Sequence, residues 1–295
     1  MQNDNLRGVV LMNIAMLAFT LNDTCMKLVS QSMPLFQAIT LRGVITTICL
    51  LALAVWQLRG ATFAQLLPRG RDGAVVIVRT IAEVMATVTF LVALTHMPLA
   101  NLSAIMQSLP LAVTLAAALI FHEPIGWRRL LAITVGFGGV LLIVKPGTDG
   151  FDFWAMLGLA SVAAVVVRDL STRLISGAVP SVVVAVWAGL SVTVLGFAGA
   201  LFEGWQPVSM SEVGLIFGAS ANLIVGYMTV VMVMRAGDIG FIAPFRYMAL
   251  FWAILLGYLG FGTLPDHWTV FGAAIVVATG IFTLWRERRV RHATA

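Results

Sequence analysis

Charge is what this chain has least of. Only 11% of its 295 residues are Asp, Glu, Lys or Arg, against about 25% in a soluble domain, and 60% are apolar. With a mean hydropathy of +0.98, a water-soluble globule is excluded and a polytopic membrane protein is implied. Cysteine is nearly missing too. Cys25 and Cys49 both fall in apolar segments, so they read as small buried side chains rather than a disulfide or metal framework. His96, His122 and His267 stand at segment ends and His292 near the end of the chain, which suggests no buried metal cluster. There is no Gly-x-x-x-x-Gly-Lys-Ser/Thr loop for ATP, and no His-Glu-x-x-His or Gly-x-Ser-x-Gly for hydrolysis. No catalytic residue, cofactor or metal is expected, and an intramembrane enzyme or a sensor is a remote reading.

What the chain has is length of apolar sequence. Turn residues, Pro and charges cut it into ten segments near 8–29, 34–57, 74–95, 98–121, 126–144, 152–176, 180–202, 210–234, 239–261 and 267–285. Most are long enough to cross a hydrocarbon core of about 30 Å as helices rising about 1.5 Å per residue. Barrel strands would be about ten residues long and alternating. The short polar start, Met1 to Arg7, leads directly into the first segment without a cleavage pattern, so that segment is expected to be retained.

The basic residues give these helices a direction. With the N-terminus in the cytoplasm, the inside collects Arg7, Arg59, Arg69, Arg71, Arg128, Arg129, Arg235, Arg286, Arg288, Arg289 and Arg291, and the outside only Lys145. This bias predicts cytoplasmic N- and C-termini in an inner (plasma) membrane. The pI near 9.9 reflects these loop arginines rather than a nucleic-acid surface. The last four arginines are able to touch anionic lipid.

The chain also repeats itself. At an offset of 146, Asp23 matches Asp169, Lys27 aligns with Arg173, and Leu28, Ser30, Pro34, Gly43 and Thr47 match Leu174, Ser176, Pro180, Gly189 and Thr193. Nine identities fall in the 37 positions from 18 to 54. At an offset of 141, Pro124, Trp127, Ala132 and Gly139 match Pro265, Trp268, Ala273 and Gly280; loop 58–73, longer than 203–209, absorbs the change. Five spans per half is an odd number, so the second half lies upside down. The expected fold is therefore all-α, with ten transmembrane helices as two inverted-topology five-helix repeats, 1–146 and 147–285, and a basic cytoplasmic tail at 286–295.

Ten spans, the repeat, Phe121-His122-Glu123-Pro124 followed by Gly136 and Gly139, and Ala243-Pro244-Phe245-Arg246-Tyr247 resemble the EamA family of the drug/metabolite transporter superfamily. The resemblance covers essentially the whole chain. It implies a carrier for small organic metabolites that alternates between inward- and outward-facing states. Where many members carry Gly-Glu in the second half, this chain has Gly262-Thr263-Leu264-Pro265, so Glu123 has no counterpart.

Charges inside a bilayer are costly, and each is a candidate for function. Asp23 and Lys27, Arg79 and Glu83, and Asp169 and Arg173 each stand at i, i+4 on one helix face. Inversion places Asp23–Lys27 toward the outer leaflet and Asp169–Arg173, beside Arg168, toward the inner, as two alternating gates would need; ion pairs that fix packing are the alternative. Glu83, near mid-span, is a candidate proton site or substrate ligand. Pro110 and Pro244 predict breaks in the fourth and ninth spans, beside Gln107 and Ser108 in one and Arg246 and Tyr247 in the other. Arg246 is the residue expected to meet an anionic or carbonyl group, the alternative being an arginine reaching to the cytoplasmic face. Arg42, Trp187, Asn222 and Tyr227 complete a polar and aromatic lining. Ala112 and Ala116, with Ala253 and Gly257, read as close-packing positions.

The expected partners are a small-molecule substrate, the lipid bilayer and, as a homodimer, a second copy; nucleic acid is not. The favoured reading is a facilitative or proton-linked carrier for a metabolite of amino-acid to flavin size. The stretch Arg168–Arg173 and the surroundings of Arg246 resemble bacterial riboflavin or general metabolite carriers. Export of amino acids, aromatic ones among them, is the alternative.

Overall fold

The computed structural model describes residues 2–58, 69–122, 126–144, 153–177, 179–233 and 239–294. Glu123, Pro124, Lys145, Arg59 and Arg235 lie outside them. Among the described residues ten helical spans are long and apolar enough to cross a membrane. In chain order the helices are α1 (Gln2–Val29), α2 (Leu35–Gln57), α3 (Gly70–His96), α4 (Leu99–Met106), α5 (Leu109–Phe121), α6 (Trp127–Val144) and α7 (Phe153–Leu174). They continue as α8 (Ser181–Glu203), α9 (Met210–Val233), α10 (Ile239–Ile242), α11 (Met248–Phe261) and α12 (His267–Thr294), with a 3-10 turn, Ala243–Tyr247, between α10 and α11. The ends differ from expectation at three places, the first being α1, which begins at Gln2 rather than near 8. α3 begins at Gly70 rather than 74, and α12 runs on to Thr294, so the basic residues after 285 continue a helix instead of forming a separate tail.

Both proline breaks form as the sequence predicts. Pro110 has no N–H, and its ring crowds the carbonyl four residues earlier. The chain tightens there: the Ser108 N–H bonds the Ile105 carbonyl at 3.0 Å, and the Ser108 hydroxyl bonds the same carbonyl at 2.7 Å. The fourth span is thus α4 plus α5, and the ninth is broken by the 3-10 turn that contains Pro244. Both spans end on a left-handed residue, His122 (φ 56) and Gly262 (φ 65). Gly262 and Thr263 return their N–H groups to Tyr258 and Gly257, which satisfies carbonyls that a helix end leaves open.

The packing partners exchange under a swap of the first five spans with the last five. α1 packs most extensively along α9, and α3 along α7; α2 pairs with α8, α6 with α12, and α4 with α11. Small residues set these approaches. A side chain at Gly139 would meet the Gly272 carbonyl at 2.8 Å, so α6 and α12 touch backbone to backbone. Ala253 is fully buried, and Gly257 faces Leu99. Inside, the largest cluster of buried apolar side chains runs from Met26 and Ile39 through Leu94, Leu102, Ile105 and Leu111 to Ile133 and Val276, with smaller ones around Met12 and Ala54. Outside are large apolar side chains such as Val55, Trp56, Ile77, Leu119, Phe197, Phe217 and Leu259. Water would not tolerate that belt, and lipid requires it.

Candidate functional site

The end of the bundle where α1 starts is the near end; α1 finishes at the far end. Along α1 a polar line runs between them. Asn13 accepts a bond from the Trp252 indole N–H at 3.0 Å. Asn22 then does what the sequence reading missed: its Nδ2 donates to Asp23 Oδ1 at 2.9 Å, and its Oδ1 accepts from Arg42 Nη1 at 3.2 Å. Arg42, only 8% exposed, and Asp23 act on each other across this amide rather than in contact. The Arg42 Nε is buried without a partner.

Asp23 and Lys27 do not pair with each other. The Lys27 ammonium bonds the Leu94 and Met97 carbonyls at 2.5 and 2.8 Å, at the end of α3, and lies 5.4 Å from the centre of the Phe261 ring. The cause is geometric: carbonyls in a last helical turn have no intrahelical donor, and a flexible cation satisfies two at once.

In the second polar group the i, i+4 expectation holds on α3. Arg79 and Glu83 are 3.3 Å apart. The other Glu83 oxygen takes Arg168 Nη1 from α7 at 3.3 Å, and Arg168 folds back on Asp169 through Nε and Nη2, both 2.9 Å from Oδ1. Asp169 thus meets its sequence neighbour, whose guanidinium Glu83 holds as well. The Arg79 Nε also bonds the Thr172 hydroxyl at 3.1 Å. Two cations and two anions from two packed helices cancel formally, the cheapest way to hold charge in an apolar medium. Glu83 is 12% and Asp169 36% exposed, so the chain runs from the interior toward an edge.

Tyr227, on α9, feels the charges of both groups, Arg42 of one and Glu83, Arg168 and Arg79 of the other, and its ring stands edge-on to Phe19 with centroids 5.6 Å apart. Gln107 and Tyr247 mark corresponding places in the two broken spans, each fifteen residues before its left-handed cap. Gln107 is buried at the break between α4 and α5. The Tyr247 hydroxyl is buried without a partner against Gly280, where any side chain would collide with it. Arg246, next to it, is exposed. Asn222 gives its amide to the Gly218 carbonyl of its own helix at 2.8 Å. Trp187 packs with Ala54, Val182 and Val183. Among the described residues no three His, Cys, Asp or Glu side chains gather as a metal site.

Such a bundle, with charges from different helices meeting inside an apolar belt, can carry polar solute across lipid, and known proteins of this kind match it. The EamA-like transporter family matches residues 6–145. The riboflavin transporter of Rhizobium johnstonii is 24% identical over 211 residues, which is 72% of this chain and 70% of that protein. The S-adenosylmethionine uptake transporter of Rickettsia prowazekii is 23% identical, over 96% of this chain and 94% of its own length. The pseudopaline exporter of Pseudomonas aeruginosa is 25% identical, over 93% and 94%. A solved crystal structure shares the fold at a TM-score of 0.64 and 19% identity, covering 96% of this chain and 98% of its own. The chain is a multi-pass membrane protein that transports a small molecule rather than an enzyme, and over its first half, residues 6–145, it is similar to the EamA-like transporter family.

Proposed function

We propose that the chain is a secondary carrier that moves a small organic metabolite across the bacterial inner membrane by alternating access, with halves 1–146 and 147–285 inverted and both termini cytoplasmic. The observation that carries this reading is the charged chain Arg79–Glu83–Arg168–Asp169. Two of its members come from each half, so any rocking of one half against the other remakes it. Asp23, Asn22 and Arg42 form the second polar station, toward the outer side, and Tyr227 feels the charges of both stations.

Substrate contacts fall to Arg42, Glu83, Gln107, Asn222, Arg246 and Tyr247, with Lys27 and the cluster of Arg79, Asp169 and Arg173 controlling access. Trp187, packed beside Ala54, Val182 and Val183, belongs to the same lining. Riboflavin and S-adenosylmethionine, named for two relatives, both carry a flat heteroaromatic ring and hydroxyls. The Phe19–Tyr227 pair beside charged groups suits such a molecule, which a ring can stack on while donors hold its polar edge. Uptake of that class is the first reading. The pseudopaline exporter covers almost the whole chain and favours export as the second.

Sealed vesicles holding purified protein, with no nucleotide present, test both. Exchange of labelled riboflavin or S-adenosylmethionine, lost in Glu83→Gln, supports a carrier of this class. Vesicles that exchange neither, but extrude amino-acid analogues, move the assignment to export.

A further inference from the structure

Asp72 and Glu212 stand at the third position of α3 and α9, three residues after Arg69 and Ser209 respectively. An acid there suits the partial positive charge of a helix N-terminus. Each also reaches across to a second helix in the same way. Ser32, just past the end of α1, donates its hydroxyl to Glu212 Oε1 at 2.6 Å. Ser176, just past the end of α7, donates its hydroxyl to Asp72 Oδ2 at 2.6 Å and its N–H to Oδ1 at 3.1 Å. α1 and α7 are repeat equivalents, and Glu212 follows Asp72 by 140 residues, close to the offset of the later spans. The serines are not themselves repeat equivalents, since Ser176 matches Ser30 and Ser32 stands two positions further on, but the same kind of contact is made at the far end between α1 and α9 and at the near end between α7 and α3.

We propose that these serine–carboxylate contacts are paired latches that hold opposite faces of the carrier shut and release in turn. The proposal rests on the alternating-access reading above. In such a cycle, opening one face breaks contacts there while their counterparts at the other face persist. The local chemistry suits repeated release. Glu212 Oε2 is held by the Ser209 N–H at 2.7 Å and its hydroxyl at 2.8 Å, so without Ser32 the carboxylate stays capped and charged. Asp72, one methylene shorter, spends both oxygens on Ser176, which is exposed, and on release it turns to water at a helix N-terminus. Both latches are closed in this structure. A static brace at each rim would use the same atoms but would not bias the carrier toward one side when removed.

Spin-label distances in lipid nanodiscs distinguish the two. With Cys25→Ala and Cys49→Ala as background, Gln31→Cys with Met210→Cys reports the far face, and Arg69→Cys with Gly177→Cys the near face. Glu212→Gln is expected to raise the ratio of long to short distances at 31–210 about tenfold, the effect of losing one charge-assisted hydrogen bond, without lengthening 69–177. Asp72→Asn should do the reverse. Ser32→Ala and Ser176→Ala remove the donors, leave the carboxylates in place and carry the test if a carboxylate variant does not fold. Unchanged distances in both serine variants, or the same change at both faces, would overturn the proposal. No substrate enters the measurement, so failed latches with intact wild-type flux leave the carrier reading standing, and absent flux with one-sided shifts does the opposite.

Discussion

The hydroxyls of Thr47 and Thr193 touch at 3.1 Å, and the two residues are 146 positions apart, the offset at which the chain repeats. Around them the contact is reciprocal: a side chain at Gly43 would meet Thr193, and one at Gly189 would meet Thr47. A residue meets its own repeat equivalent only where a two-fold relation passes between them, as in an isologous interface. α2 and α8 therefore cross where the halves exchange.

Of the two glycines beside these threonines, Gly43 is the more tightly packed. A Cβ there would lie 2.5 Å from Thr193 Oγ1, whereas one at Gly189 would lie 3.1 Å from Thr47 Oγ1. Gly43→Ala is expected to cost about 1–3 kcal/mol by overpacking, Gly189→Ala less, and Thr193→Ala should recover part of the first loss. Thermal unfolding of the three variants and the double variant in detergent checks the order.

Removing Glu83 leaves two guanidinium groups with one carboxylate. Glu83→Gln should destabilise by about 2 kcal/mol or more, the cost of stranding charge away from water, and stop transport. Asp169→Asn, at the more exposed end, should cost less than about 1 kcal/mol. Equal effects in unfolding and flux assays would contradict an interior centre at Glu83.

Lys27 closes two carbonyls of α3. Lys27→Met should cost about 1.5–3 kcal/mol and Lys27→Arg less, since the cation is kept. Hydrogen exchange at the last turn of α3 should rise in the methionine variant alone.

Tyr247 and Arg246 separate stability from function. The Tyr247 hydroxyl is buried and unpaired, so Tyr247→Phe should leave stability equal or raise it while weakening transport if that hydroxyl meets substrate. Arg246 is exposed, so Arg246→Ala should unfold within about 0.5 kcal/mol of the parent yet lose flux. Melting curves beside exchange rates on the same vesicles read both.

The spans, the breaks at Pro110 and Pro244, and the two-fold repeat were legible because each follows from local chemistry or from one fixed offset. The pairing of charges was not. Helical spacing put Asp23 over Lys27, but the open end of α3 took Lys27, and the Arg168 bridge from Asp169 to Glu83 joins two helices whose contact no spacing along one helix foretells. Asn22 stood in view beside Asp23, but its bond to Arg42, 20 residues away, depends on how α1 and α2 turn against each other. Asp72 and Glu212 drew no notice in the sequence, and only the packed helices bring serines to them.

Gln31 and Gly177 are repeat equivalents, both exposed, in the turns that follow α1 and α7. In a chain with Cys25→Ala and Cys49→Ala, single cysteines placed at each can be labelled in oriented vesicles with a membrane-impermeant maleimide. Inverted halves require Gln31→Cys to react only from the outer side and Gly177→Cys only from the cytoplasmic side. Reaction of both from the same side would mean that the halves are parallel, and the two-fold crossing at Thr47 and Thr193 would lose its meaning.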